Sequence, residues 1–273
     1  MSAPADRTAI PTGGQAPSGL AGAAQARPRV ALADVRPDLV RLERRLMLRG
    51  SLSLGALALL SGCDLAGEGP VDRALRAVSR FNDRVQAALF DPNRLAPTYA
   101  ASEITNPFRF NAYYPEWQIR TVEEDGWRLE VAGLVDRKTP WTLADLRAMP
   151  QEEQITRHVC VEGWSQVGQW SGVPFRSFLE RVGADTRAGF VNVRCFDDYW
   201  CGLDMASCLH PQTILALDFE RAPLSPQWGA PLRLRLPTKL GFKNPKYIQA
   251  IEVTNTNPGG YWEKQGYNWY SGL

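Results

Sequence analysis

Histidine is almost missing from this chain: His158 and His210 are the two it has in 273 residues. A metal centre built mainly from imidazoles needs more than that, so histidine-rich zinc, copper or iron sites are excluded. Five cysteines occur, and no two form a Cys-x-x-Cys pair. The dithiol redox motif and the zinc clusters that use this spacing are therefore absent, as is the Cys-x-x-Cys-His sequence that attaches a c-type haem. Charge of one sign is lacking too. With 31 Lys and Arg against 29 Asp and Glu the formal net charge is +2, which gives no electrostatic footprint for nucleic acid. No internal repeat is visible. What is present is an ordinary globular composition, 44% hydrophobic and 22% charged, with nine Trp, eight Tyr and ten Phe to fill a core.

Residues 1–40 are rich in Ala, Gly, Pro, Gln and Ser and show no periodicity, the composition of a disordered extension. Residues 41–63 read as a targeting segment: Arg44-Arg45-Leu46-Met47-Leu48-Arg49, the apolar run Gly50–Leu60, then Leu60-Ser61-Gly62-Cys63. The apolar run falls short of the ~20 residues a spanning helix needs. The paired arginines resemble a twin-arginine export signal, and Leu-Ser-Gly-Cys resembles a lipobox whose cysteine is lipidated after cleavage. Export is the expectation, to the periplasmic face of the inner membrane through a lipidated Cys63 or to the soluble periplasm.

Residues 64–103 read as a helical segment and linker. Asp72–Leu89 places Leu75, Val78, Val85 and Leu89 at helical spacing, with Arg73, Arg76, Arg80 and Arg84 recurring along one side. Those arginines face either anionic lipid or an acidic partner, or they are the solvated face of a packed helix. Residues 104–273 form the main domain. Strand patterns cover Trp127–Gly133, Gln154–Val161, Phe190–Phe196, Thr213–Phe219, Pro231–Leu236 and Tyr247–Val253. Helices are expected at Thr142–Met149, with Thr142 as N-cap, and at Pro174–Val182, with Phe175, Phe178, Leu179 and Val182 on one face. Irregular alternation of strands with short helices predicts an α+β fold with mixed sheets.

The chemistry concentrates in Arg157-His158-Val159-Cys160-Val161-Glu162-Gly163-Trp164-Ser165, a strand end running into a Gly/Ser/Trp turn. A thiolate there is a soft ligand for a metal already held by sulfur. A single cysteine on a strand is, by itself, more often a small buried hydrophobe. A second feature is Leu232-Arg233-Leu234-Arg235-Leu236, leucines on one face and arginines on the other, with Lys239, Lys243 and Lys246 following. It suits a phosphate-bearing ligand, or else it is a solvated edge strand.

R-H-V-C-V-E-G-W-S, Q-W-S-G-V-P-F, L-H-P-Q-T, L-S-P-Q-W-G-A-P-L-R-L-R-L-P-T-K-L-G-F-K-N-P-K and I-Q-A-I-E-V-T occur in this order. Together they resemble the sulfite oxidase family, and most nearly its methionine sulfoxide reductase branch. The resemblance implies a sulfite-oxidase-type fold and one molybdopterin per chain, with Cys160 as the protein ligand to molybdenum. It implies pterin contacts at Asn111, Tyr114, Pro115, Cys195, Trp228, Arg233, Asn244, Pro245 and Lys246. Cys195 and Trp228 depart from the Thr and Asn of that branch, so at Trp228 a backbone contact is expected. Tyr113 or Tyr114 borders the open metal position, and Tyr114 is taken as catalytic with Cys160.

Oxo transfer is the implied reaction, with an S-oxide or N-oxide reduced, on a small molecule or a protein. Sulfite oxidation by the same cofactor is the alternative, disfavoured because Val161–Ser165 holds no cation for a dianion. With no haem in this chain, electrons require a separate membrane haem b or quinone-linked partner. A monomeric catalytic domain is expected, since longer relatives continue into a dimerisation domain. A non-enzymatic periplasmic lipoprotein, a thiol-redox protein using Cys195, Cys201 and Cys208, and a Cys201–Cys208 disulfide remain as further readings.

Overall fold

The computed structural model describes residues 69–273. The extension, the arginine pair and Cys63 lie outside the described residues. Along the chain run α1 (Pro70–Leu89), β1 (Glu130–Gly133), α2 (Leu143–Arg147), β2 (Glu152–Val159), β3 (Ser165–Pro174) and α3 (Phe175–Arg181). They are followed by β4 (Phe190–Cys195), β5 (Trp200–Asp204), α4 (Met205–Cys208), β6 (Ile214–Phe219), β7 (Ala222–Pro223), β8 (Arg233–Arg235), β9 (Ile248–Thr254) and α5 (Tyr261–Lys264). The fold is α+β, with two sheets and short helices between strands.

One sheet has the order β1-β9-β4-β5, with β1 and β9 parallel and the other pairs antiparallel. The other runs β2-β3-β6-β7, antiparallel throughout, and β8 pairs with β6 as well. A shared core joins them: Val191 and Val193 of β4 and Ile251 and Val253 of β9 belong to one cluster with Leu215 and Leu217 of β6. The predicted face of α3 (Phe175, Phe178, Leu179, with Val182 just beyond) is fully buried. Thr142 caps α2 reciprocally: Asp145 N donates to Thr142 Oγ1 at 3.0 Å and Thr142 N to Asp145 Oδ2 at 2.9 Å.

Three elements differ from the sequence expectation. The ten-residue β3 was not anticipated, because Gln166, Val167, Gly168, Gln169 and Trp170 are buried in succession and give no two-residue alternation. Gln166 tolerates burial by exchanging two hydrogen bonds with the Arg109 backbone, at 2.7 and 2.9 Å. In β8 the arginines are not a solvated edge: Arg235 is wholly buried and donates to Asn244 Oδ1 (2.9 Å) and Arg157 O (2.6 Å). Finally, α1 is not packed by its apolar stripe. Leu75, Val78, Val85 and Leu89 are exposed. The helix is held instead by a polar edge, where Tyr270 N donates to Asp83 Oδ1 (2.7 Å) and Gly272 N to Gln86 Oε1 (3.1 Å).

Candidate functional site

β2 and β3 form a hairpin whose last ladder pair is Val159↔Ser165, so Cys160–Trp164 make the turn. Cys160 N donates to Trp164 O (2.9 Å) and Gly163 N to Cys160 O (3.1 Å). Gly163 adopts φ +89°, in the left-handed region where only glycine is unstrained. The Gln166–Arg109 exchange lays the preceding segment along β3 and brings Asn111 to the turn, its Nδ2 lying 3.4 Å from Cys160 Sγ. Burial pushes the Cys160 thiol up, with the charge of Glu162 adding to it, while the Asn111 hydrogen bond opposes. A coordinated metal would take the proton's place on such a thiol.

Cys160 lines a cavity. Its aromatic lining is Tyr113, Tyr114, Tyr199, Phe242, Trp262 and Tyr267. Tyr113 stacks with Tyr199 at 5.9 Å and donates its hydroxyl to the Asp197 carbonyl; burial, helped by Asp197, pushes its pKa up to about 12. Asp197 lines the same cavity, and burial lifts its carboxyl above the usual range. The loop after β8 contributes Gly241, Asn244, Pro245 and Lys246 to the lining. Lys243, buried in that loop, pairs with Glu263 of α5 and so ties the loop to the helix that carries Trp262.

A smaller cavity shares Asn111 and Lys246 with the first and adds His158, Arg109, Arg233 and Trp228. Its chemistry is one-sided, because no carboxylate lines it. Burial and then Arg233 hold Lys246 well below its ordinary pKa, and burial followed by Arg235, Arg233 and Lys246 keeps His158 neutral. Both ring nitrogens of His158 and the Nε of Arg233 are buried without a hydrogen-bond partner. Buried cations and donors left unmatched are costly unless an anion completes them. The cationic lining of this end suits the charge of a phosphate, the aromatic lining of the first cavity suits a flat ligand, and Cys160 suits a thiolate-bound metal. Among the described residues no group of three or more His, Cys, Asp or Glu side chains could hold a metal ion, so the remaining metal ligands would come from the cofactor itself.

Asn111, Tyr114, Cys160, Asn244, Pro245 and Lys246 thus meet around one cavity, and Trp228 and Arg233 around the adjoining one. Trp228 lines the smaller cavity; its carbonyl accepts from Arg233 Nη1 at 3.0 Å and its ring packs on Phe108 and Phe219. The Asn244 side chain is occupied by Arg235 and by Leu236 N (2.7 Å), so it braces the loop. Pro115 and Cys195 line neither cavity; Cys195 is buried in the shared core. Cys160, Cys195, Cys201 and Cys208 are free thiols, and no Cys201–Cys208 bond is formed. His158, Asp197, Trp262 and Tyr267 were not singled out as site residues from sequence. The one signal for Trp262 and Tyr267, aromatic residues clustered near Tyr261–Tyr270, is shared by ordinary core segments, while His158 stood beside Cys160 in its motif.

A mixed-sheet domain with a cysteine-bearing hairpin, an aromatic-walled cavity and a cationic end defines a pterin-cofactor oxidoreductase. The family model described as "Oxidoreductase molybdopterin binding domain" matches residues 116–262. The chain belongs to this molybdopterin-dependent oxidoreductase family, the sulfite oxidase family, and is an enzyme. It is 56% identical over 229 residues to a provisionally named protein-methionine-sulfoxide reductase subunit of Azospira oryzae, covering 84% of this chain and 87% of that one. It is 30% identical over 236 residues to the protein-methionine-sulfoxide reductase catalytic subunit of Campylobacter jejuni, covering 79% and 75%. Part of the fold also resembles the sulfane dehydrogenase SoxCD of Paracoccus pantotrophus, with TM-score 0.48, 17% identity and coverage of 51% and 41%.

Proposed function

We propose that this chain reduces S-oxides, including methionine sulfoxide, using electrons delivered by a separate membrane haem b or quinone-linked partner. The observation that carries the reading is the charge around Cys160. Val161 and Glu162 follow it into the cavity, Asp197 lines the same space, and Lys246, the one cation lining it, also belongs to the phosphate-like end. A neutral sulfoxide suits such a lining; a sulfite dianion does not. The names of the Azospira and Campylobacter relatives support the same substrate class.

When bound, a molybdenum-pterin group supplies two-electron oxo-transfer chemistry. Cys160 would hold the metal through its thiolate, and Arg233, Lys246 and His158 would hold the phosphate. Asn111 fixes the direction of the Cys160 sulfur. Reduction of R2S=O to R2S needs two electrons and two protons, with the oxygen leaving as water. Asp197, whose carboxyl burial raises above the ordinary carboxylate range, is the acid on the cavity lining placed to supply a proton. The arginine pair and Leu-Ser-Gly-Cys of residues 41–63 support export by the twin-arginine route and attachment through Cys63.

Purified holoenzyme should contain about one molybdenum per chain and turn over methionine sulfoxide with a reduced viologen dye, leaving sulfite untouched. Sulfite oxidation with no sulfoxide turnover would reverse the assigned direction.

A further inference from the structure

Among the described residues, thirteen large hydrophobic side chains are exposed, and six of them sit on α1: Val71, Leu75, Val78, Phe81, Val85 and Leu89. Val78 is 57%, Phe81 62% and Leu89 79% exposed, and Val71, Leu75 and Val85 lie between 38% and 46%. At roughly 100° per residue these six side chains and the alanines at 74, 77 and 88 fill a continuous arc of about 160°, interrupted only by Asn82. That is wider than the narrow seam of a two-helix coiled coil. The edge that hydrogen-bonds to the domain (Ser79, Asp83, Gln86) lies on one side of the arc. Exposed Arg73 and Arg84 border the other.

The helix is therefore held by a polar edge while its apolar arc stays clear of the domain. Two observations identify what covers it. The helix begins at Pro70, seven positions after Cys63 and ten after the apolar run Gly50–Leu60, so at most about 25 Å of extended chain separates Cys63 from its first turn. Whatever lipid surface those residues reach, α1 reaches as well. The charge agrees: four Arg against two Asp give the helix a net positive charge, and arginines at the border of an apolar arc can extend their guanidinium groups to lipid phosphates. Among the described residues no helix is long and apolar enough to cross a membrane, which fits an element lying in the surface rather than spanning it.

We propose that α1 is an interfacial helix that lies flat on an anionic lipid surface through Val71, Leu75, Val78, Phe81, Val85 and Leu89 and holds the catalytic domain there in a fixed orientation. Its docking edge gives the orientation a path to the site. Asp83 and Gln86 grip Tyr270 and Gly272, in the same C-terminal stretch as Trp262 and Tyr267 of the cavity wall. None of this depends on the direction of the redox reaction, so a failure here leaves the proposed function standing.

The test uses full-length holoenzyme carrying Cys63→Ser, with one further cysteine introduced at an exposed position of α1 and labelled with an environment-sensitive dye. Val78→Cys and Val85→Cys report the apolar arc, and Arg80→Cys reports the opposite side. Vesicles of phosphatidylcholine and phosphatidylglycerol (7:3) carry a doxyl-labelled lipid as quencher. The expected result is quenching at positions 78 and 85 at least threefold stronger than at position 80. No quenching at 78 and 85 overturns the proposal, including the case where vesicles bind through residues 50–60 alone or where the arc serves a protein partner. A difference between the two sides smaller than threefold overturns it as well.

Discussion

Asn111 Nδ2 lies 3.4 Å from Cys160 Sγ, joining residues 49 positions apart at the point where a metal would be held. The contact predicts that substitutions at the two positions affect the same step. Cys160→Ala should leave a folded, pterin-containing protein without turnover, because the phosphate end of the site is untouched. Asn111→Leu should keep the metal and lose roughly tenfold in kcat, the equivalent of one hydrogen bond to a charged group. Molybdenum analysis alongside sulfoxide kinetics reads both, and normal turnover by Cys160→Ala would refute the assignment.

Arg233 should show opposite effects with and without cofactor. It is buried with an unmatched Nε, so Arg233→Met should leave the apoprotein as stable or make it more so. The same change should weaken cofactor retention by roughly ten- to a hundredfold through loss of a charge-assisted contact. Pterin content after dialysis and thermal melts of apo and loaded protein report the two signs. A large loss of stability in the apoprotein would mean Arg233 is structural.

Lys239 is buried against Asp204 at 3.0 Å, and burial pushes its pKa down to about 8. Between pH 8 and about 10.5 the unfolded lysine keeps a proton that the folded one has released, so this residue's contribution to stability rises with pH. Relative to Lys239→Met, the wild type should therefore gain up to about 3 kcal/mol from pH 7 to pH 10. Urea midpoints at the two pH values test it; a constant difference would place the folded pKa near its ordinary value.

Gly172 faces the β6 backbone at the irregularity between β3 and β6, and a Cβ there would lie 2.0 Å from Leu215 O. Backbone cannot swing aside as a side-chain tip can. Gly172→Ala should cost about 3 kcal/mol or more, or prevent folding. Denaturant titration beside Gly189→Ala, where nothing lies within 4 Å, separates crowding from loss of glycine.

Much of this was legible in the sequence for identifiable reasons. α3 announced itself through four apolar residues at helical spacing, α2 through Thr142 and Asp145, and Cys160 through a motif of several fixed positions. β3 was hidden, since both its faces are covered and its glutamines are satisfied only by the distant Arg109 backbone. The arginines of β8 alternate with leucines as an edge strand would, and nothing local reveals that Asn244 and Arg157 O await one of them. His158 was noted as one of two histidines but not assigned to the site, because the cations it faces, Arg233, Arg235 and Lys246, lie far along the chain. On α1 the periodicity was plain, but the sequence does not say which side of a helix its own domain will use.

The bond from Tyr270 N to Asp83 spans 187 positions. During synthesis a ribosome will have released α1 long before it delivers the residue that holds it. For that interval the helix has no seat, and its apolar arc is open to any chaperone or bilayer nearby. Trp262 and Tyr267 likewise leave the ribosome about a hundred residues after Cys160, so the cavity lining and the seat of α1 are completed only after the hairpin that carries the cysteine.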